Sequence, residues 1–422
     1  MEKNSEQNAM YDELDRGILD ELKEKDVYAD WLKPAAWLRG GIVGGGGYDI
    51  GVGKYLKLPM MDVMMDASIQ ALKERKALYW DNAETLPQLI AEKLKEENGI
   101  IADPQNEILL LAGMSAGMAI VSQTFLNEGD EVLVMDPGYV THFGYVLARK
   151  ATLKFVRLTE HKGVTDESRW SFDEQRLEDA ITPKTKMLIL CNPENPTGYV
   201  YSHDDLQQIS EICIRHNLIV FANECYERLV YNEAFEQTLK FESIATFPGM
   251  RERTVTLQGV TKAYNLSGFR VGWLVAEEGL TSIMRFVHSW GAGGPIAPTI
   301  SQYGVAAALT KPFREDYVRE ELQIYKKNRK LLCDALNEIP GVECAPNMGS
   351  QFVFCDFSEF GTDDLTLAKY LSGRGITSVY GSVWGKEAGK NHLRFTLANP
   401  TDYEELCVEK LCEALKEWKG NR

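Results

Sequence analysis

The chain has 422 residues, 44% hydrophobic and 26% charged, the composition of a soluble globular protein with a sizeable core, and its length suggests two or three structural domains. A net charge of −16 disfavours nucleic acid or an anionic membrane as partner, because either would favour a basic face. The eight cysteines are scattered without a C-x-x-C pair and read as reduced core residues, with no metal site implied. The N-terminus is polar and acidic, unlike a signal peptide, and no apolar run approaches the ~20 residues that span a bilayer. A cytoplasmic, enzyme-sized protein is the expectation.

Residues 1–38 are helical in pattern, with Tyr11, Leu14, Ile18, Leu19 and Leu22 at three- and four-residue spacing. Residues 39–53 are glycine-rich but lack the strand-loop-helix framing and terminal lysine of a nucleotide loop, so they read as a connector whose backbone approaches a ligand closely. Helical segments follow, from Met64 to Lys76 and then up to Glu97. From Glu107 the chain alternates. Strand-like runs at 108–111, 131–135, 152–158, 187–190, 218–221, 254–257 and 271–275 are separated mostly by helical stretches, which argues for an α/β fold with a mostly parallel sheet. In such sheets ligands sit beyond the carboxyl ends of the strands. Several chemically distinctive residues fall there: Gly113–Gly117, Tyr139, Asn195, Asn223 and Lys262. The last third changes character. A long charged helix from Pro312 to Leu336 leads into strands, a helix at 364–372 and a final helix at 402–418, an α+β arrangement. The division is 1–63 as N-terminal arm and part of a small domain, 64–310 as the large domain, and 311–422 as the C-terminal small domain.

Lys262 follows a β-type run and is followed eight residues later by Arg270, in Phe-Arg-Val-Gly. An amine must shed its proton before it attacks an aldehyde, and a neighbouring cation eases that loss. Two further stretches, Asn192-Pro-Glu-Asn-Pro-Thr-Gly198 and Asn223-Glu-Cys-Tyr226, each follow an apolar run. Together and in this order the three resemble the fold-type I pyridoxal-phosphate (PLP) enzymes, specifically the class I/II aminotransferases of the aspartate aminotransferase type. The resemblance runs from about Asp49 to the C-terminus. It implies an α/β fold with a large domain, in which a mostly parallel seven-stranded sheet lies between helices, and a smaller α+β domain. It also implies pyridoxal 5'-phosphate as cofactor, amino-acid and 2-oxo-acid substrates, and a homodimer.

The resemblance assigns roles residue by residue. Lys262 bonds the cofactor aldehyde as a Schiff base and moves protons in catalysis. Met114, Ser115 and Ala116, at a helix start, suit the cofactor phosphate, together with Thr261 and Arg270. Tyr139 stacks on the pyridine ring. Asn195 and Tyr226 hydrogen-bond its phenolic oxygen, and residue 223 faces its ring nitrogen. Arg394, in Asn391-His-Leu-Arg-Phe-Thr396, clamps the substrate α-carboxylate. Gly51 and Gly53 match the glycines that line the substrate side. Tyr79 is the candidate for a tyrosine that reaches the phosphate of the neighbouring subunit, although its spacing to Leu86 is short of the family pattern. The segment 290–295 is one that family members contribute across the interface.

Two positions depart from the family pattern. Asn223 stands where the family has aspartate, and a neutral amide supplies no charge to hold a proton on the ring nitrogen. Gly259 stands where a hydroxyl residue often meets the phosphate. His142 lies where some members place a histidine that touches the aspartate; here it either orients the Asn223 amide or is simply packed. The expected activity is transfer of an amino group from an α-amino acid to a 2-oxo acid. Asn223 raises the alternative of a lyase, decarboxylase, racemase or oxygen-dependent deaminase on the same fold. Arg285 could read a second substrate carboxylate, but its helical spacing beside Phe286 and Val287 favours a solvated residue.

Overall fold

In the computed structural model of the protein, the described residues are 42–43, 47–52, 61–76, 78, 83–164, 169–231, 241–291, 297–385 and 387–419. The helical pattern of residues 1–38, Tyr79, Gly53 and most of the 290–295 segment lie outside them.

Among the described residues two short strands come first, β1 (Ile42–Val43) and β2 (Tyr48–Asp49). Then follow β3 (Ile108–Leu111), β4 (Glu131–Asp136), β5 (Thr152–Arg157), β6 (Thr159–Glu160), β7 (Trp170–Ser171), β8 (Thr185–Cys191), β9 (Ile219–Asn223), β10 (Thr254–Gly259) and β11 (Gly272–Val275). The C-terminal strands are β12 (Phe352–Asp356), β13 (Ile376–Tyr380) and β14 (His392–Thr396). Seven strands form the main sheet in the order β3-β11-β10-β9-β8-β4-β5. Only β11 runs against its neighbours, pairing antiparallel with both β10 and β3; the pairs from β10 to β5 are parallel.

This sheet is apolar on both faces, as near-continuous hydrophobic strands require. Val132 and Val134 of β4 join one core cluster, whereas Leu133 and Met135 join another. In β8, Ile189 and Cys191 part in the same way from Leu188 and Leu190. The second cluster takes Leu206, Ile209, Ile212 and Cys213 from the helix His203–Arg215. Those residues recur at three- and four-residue spacing, the stripe an amphipathic helix presents to a sheet. That helix begins in a capping box, Ser202 with Asp205, which satisfies two amide groups at its start.

The C-terminal strands build a second sheet in the order β1-β13-β14-β12, with β2 also paired to β13. Residues 42–43 and 48–49 are thus hydrogen-bonded to a strand more than three hundred residues later. The helix Lys311–Asn337 leads from the large sheet to this one. The strand-like runs anticipated in the sequence all form, with ends shifted by a few residues.

Candidate active site

The chemically distinctive residues follow the carboxyl ends of the parallel strands. Gly113 follows β3, Tyr139 follows β4, the loop Asn192–Gly198 follows β8, Asn223 ends β9 and Lys262 follows β10. Because β11 is antiparallel, its entry rather than its exit lies at this edge. Gly272 pairs with both Gly259 and Leu111, which brings Arg270 beside Gly113. The approach is close: a Cβ on Gly113 would sit 2.2 Å from Arg270 Nη2, and Gly113 has φ +87°. Only glycine suits that position. Arg270 itself is left-handed at φ +54°, and its Nη1 donates to Ser267 O at 3.0 Å. A non-glycine residue in this region stores strain that surrounding contacts must hold. Gly259 is explained by the same crowding, since its Cβ would lie 2.9 Å from Gly272 Cα and 3.0 Å from Met114 Cγ.

Met114, Ser115 and Ala116 open the helix Met114–Phe125. Ala116 N donates to Gly113 O at 3.1 Å, so the amides of Met114 and Ser115 form the open end of that helix. Ser115 is exposed, and Thr261 Oγ1 is buried without a hydrogen-bond partner among the described residues.

Lys262 sits on a single helical turn, Val260–Ala263. Its Nζ is 6.0 Å from the ring centre of Phe352. The opposite claimant on that ring is Arg394, whose Cζ is 3.8 Å from the same centre and 4.5 Å from the ring of Trp384. A guanidinium between two aromatic faces is held by cation–π attraction and is shielded from water. Arg394 is 6% exposed. Its Nη1 donates to Asn195 Oδ1 at 3.1 Å and its Nη2 to Gly51 O at 3.4 Å. Asn195 Nδ2 in turn donates to the Tyr226 hydroxyl at 3.2 Å. The Asn195 amide is therefore oriented from both sides, and the Tyr226 proton is left to be given elsewhere. Burial raises the Tyr226 hydroxyl pKa well above its usual value, and the same cause raises that of Tyr139.

The loop that carries Asn195 is fixed by its own residues. The Glu194 carboxyl accepts from Asn195 N at 3.1 Å and from the Tyr201 hydroxyl at 3.3 Å, while Gly198 N donates to Glu194 O at 2.9 Å. Burial raises the Glu194 pKa well above the carboxylate range. Gly198 has φ +70°, and a Cβ there would meet Asn347 Cβ at 2.5 Å.

At the far end of the site Asn223 Nδ2 lies 2.9 Å from His142 Nε2, and Asn223 Oδ1 is buried without a partner among the described residues. His142 contacts the edge of Tyr139, with ring centres 5.1 Å apart, and Tyr139 stacks on Trp384 at 5.8 Å. Burial pushes the His142 pKa down to about 3. The structure thus joins Asn195, Tyr226 and Arg394 by direct bonds, links Lys262 to them through Phe352, and gathers Asn223, His142 and Tyr139 into a neighbouring group.

Phe352 and Trp384 were not singled out in the sequence. Phe352 had a signal of sorts: Arg394 pairs with Phe354, and a long side chain reaches its diagonal neighbour two residues away. Trp384 lies in a loop after β13 and gave no local signal. Arg285 differs from its reading as a solvated residue. It is half-buried, and its Nη2 donates to the backbone oxygens of Gln105 at 2.9 Å and Ile108 at 3.0 Å, tying its helix to the start of β3.

Glu160, Asp356 and His392 also bring ligand-type atoms together. The Arg169 guanidinium already serves that cluster, with ion pairs to Glu160 at 2.8 Å, Glu343 at 2.7 Å and Asp356 at 2.6 Å. Glu160 also lies 3.0 Å from His392 Nε2 of β14, so the cluster joins β6 and β7 to β12 and β14 and anchors the strand of Arg394.

A half-buried lysine just after a mostly parallel sheet, facing a buried arginine from a second sheet, is the arrangement of a PLP-type transferase fold. The chain belongs to the family of class I and II aminotransferases, whose model matches residues 47–415. It is 29% identical over 366 residues to a probable aspartate/prephenate aminotransferase of Aquifex aeolicus, covering 85% of this chain and 86% of that one. It is 32% identical to the aromatic-amino-acid aminotransferase 2 of Thermococcus litoralis, covering 79% and 82%. The crystal structure of an aromatic aminotransferase from Pyrococcus horikoshii superposes with a TM-score of 0.78 at 28% identity, covering 88% of this chain and 96% of that one. The protein is an enzyme, a transaminase that moves an amino group from an amino acid to a 2-oxo acid, and nothing in these relatives favours a lyase or decarboxylase. Members of this family depend on pyridoxal phosphate.

Proposed function

We propose that the residues gathered above form the catalytic site, with pyridoxal 5'-phosphate bound between Lys262, Asn223 and the start of the helix at Met114. The carrying observation is the chain of bonds from Arg394 through Asn195 to Tyr226, beside Lys262. The residues fit the cofactor. The unpartnered Thr261 Oγ1 is a donor beside the phosphate region, the Gly113 cradle admits Arg270, and the unpartnered Asn223 Oδ1 is an acceptor for a ring N–H. When bound, pyridoxal phosphate supplies an aldehyde for an amine and an electron-withdrawing ring that eases loss of the substrate Cα proton.

In this reading the amides of Met114 and Ser115, the Ser115 and Thr261 hydroxyls and the Arg270 guanidinium hold the phosphate dianion at a helix start. Ala116 shares that turn. Tyr139 covers one face of the ring. Asn195 and Tyr226 direct protons at the phenolic oxygen, with Tyr226 using the hydroxyl proton that its bond from Asn195 leaves over. Arg394, pre-oriented by Phe352, Trp384 and Asn195, takes the substrate α-carboxylate. Lys262 Nζ, freed once the substrate amine takes its place at the aldehyde, would be the group that holds and moves the substrate Cα proton, a role suited to a positioned amine. Gly53 and Tyr79, outside the described residues, keep the substrate and phosphate roles assigned from the resemblance.

The division at 1–63, 64–310 and 311–422 is supported by the pairing of β1 and β2 with β13. A homodimer is supported by two exposed apolar stripes. Met65, Ile69 and Leu72 lie along the helix Met61–Lys73, and Ile283, Phe286 and Trp290 recur at helical spacing farther on, Trp290 being 80% exposed. Stripes of this kind mark interaction surfaces. Among the described residues no helix is long and apolar enough to cross a membrane, and a cytoplasmic location rests on composition.

The test is a panel of amino donors with and without a 2-oxo-acid acceptor. Multiple turnover that requires the acceptor supports the reading, and 2-oxo-acid release sustained without it opposes it. Sedimentation showing a fully active monomer opposes the dimer.

A further inference from the structure

Asn223 and His142 form a pair whose two arrangements are chemically distinct. Both are buried, at 1% and 4% exposure. An amide and an imidazole nitrogen can bond in either of two ways. The amide NH2 donates to a bare Nε2, or a protonated Nε2 donates to the amide oxygen. The structure has the first: Nδ2 faces Nε2 at 2.9 Å, and Oδ1 has no partner among the described residues. The ring of His142 is packed against the edge of Tyr139 and lies 6.0 Å from Phe221, centre to centre. Burial disfavours the imidazolium, so a bare Nε2 is available as acceptor.

We propose that His142 is a positioning residue which, as the neutral Nδ1–H tautomer, holds the Asn223 amide with Oδ1 toward the cofactor ring nitrogen and so keeps a proton on that nitrogen. The proposal rests on the reading of this site as the pyridoxal-phosphate site. An amide oxygen can only accept. Buried opposite a bare ring nitrogen, it would set two lone pairs against each other and stay unsatisfied. Opposite a protonated ring nitrogen it gains its missing bond. The reverse amide orientation requires the imidazole proton to move from Nδ1 to Nε2, and it then presents Nδ2 to the ring, which favours a bare nitrogen. The position of one proton on His142 thus selects the protonation state of the ring. A carboxylate at residue 223 has no such dependence, because both its oxygens accept. Here geometry takes over part of what charge does elsewhere, and His142 becomes necessary where it would otherwise be auxiliary.

The experiment is nitrogen-15 NMR of the holoprotein carrying labelled histidine and cofactor labelled at the ring nitrogen, after borohydride reduction of a parallel sample has located the cofactor. The expected result is an unprotonated His142 Nε2, a protonated Nδ1 and a proton-coupled ring nitrogen at neutral pH. Asn223→Asp should convert Nε2 to N–H, since a carboxylate there must be given a proton. His142→Phe should cost the ring nitrogen its proton and weaken cofactor binding about tenfold, the loss of one hydrogen bond. His142→Gln, whose side-chain oxygen accepts from Nδ2, should restore both. A protonated Nε2 in the unmodified protein, or a ring proton that survives His142→Phe, overturns the proposal. If the His142 variants do not fold, the tautomer of the unmodified protein decides alone. Failure of the pyridoxyl group to appear on Lys262 overturns instead the reading of the site.

Discussion

Arg394 donates from Nη1 to the side-chain oxygen of Asn195 at 3.1 Å, joining a strand of the C-terminal sheet to the loop after β8 of the large sheet. The bond fixes both groups. Asn195 is turned so that its amide nitrogen meets Tyr226, and the guanidinium is held between Phe352 and Trp384. Arg394→Ala is expected to raise KM for every amino-acid substrate and leave the cofactor absorbance in place. Removing one charged clamp costs ~2–5 kcal/mol of complex stability because the carboxylate is left buried and unpaired. Arg394→Lys should recover little, since an ammonium lacks the planar two-point fork. An unchanged KM across an amino-acid panel would remove Arg394 from the substrate site.

Gly113→Ala tests the phosphate side. The added methyl would occupy the place of the Arg270 guanidinium, 2.2 Å from Nη2, at a backbone φ of +87°. Expected is a folded protein that loses cofactor on dialysis, with a dissociation constant raised about tenfold or more by loss of a charge-assisted bond. Equal retention of cofactor by the variant and the unmodified protein would contradict the assignment of Arg270.

Asn223→Asp adds a charge where the amide supplies only an acceptor. Each pKa unit gained by the ring nitrogen corresponds to ~1.4 kcal/mol between its two protonation states. The single-turnover rate of amino transfer with simple amino acids is expected to rise. Identical rates and spectra in stopped-flow measurements would show that residue 223 does not face the ring.

The pH dependence of stability has a buried source away from these residues. Glu321 accepts from Asn265 Nδ2 at 2.5 Å, and burial raises its pKa to about 8. A carboxyl whose folded pKa is raised contributes stability fully below its unfolded value of 4.5, and this is lost as pH rises through about 8. Glu321→Gln keeps an acceptor for Asn265 and cannot ionise. Denaturant unfolding should find the two proteins alike near pH 5 by the same linkage, and the variant more stable near pH 9. A variant equally destabilised at both pH values would contradict this account.

The residues that sequence revealed share a property. Lys262, Asn195, Tyr226 and Asn223 each stand within a few positions of a strand end, so the apolar run that precedes them announces where they lie. Arg394 was legible because an arginine in an apolar strand needs a partner. What stayed hidden is long-range. Lys93 looks like any helix lysine, yet it is 1% exposed and bonds Asn98 and Gln258, each at 2.8 Å, and the carboxylate of Glu227. Gln258 continues to Glu224, the neighbour of Asn223. Two of those partners lie 134 and 165 residues away in sequence, and no local pattern encodes such a meeting. Trp384 was hidden for the same reason, because only the folded loop after β13 brings it over Arg394.

The central claim is that Lys262 bonds the cofactor. The most direct measurement is borohydride reduction of the holoprotein, proteolysis and mass mapping of the peptides. Expected are one pyridoxyl group, on Lys262, and loss of both that label and turnover in Lys262→Ala while the protein remains folded. A pyridoxyl group on any other lysine, or full turnover by Lys262→Ala, would contradict it.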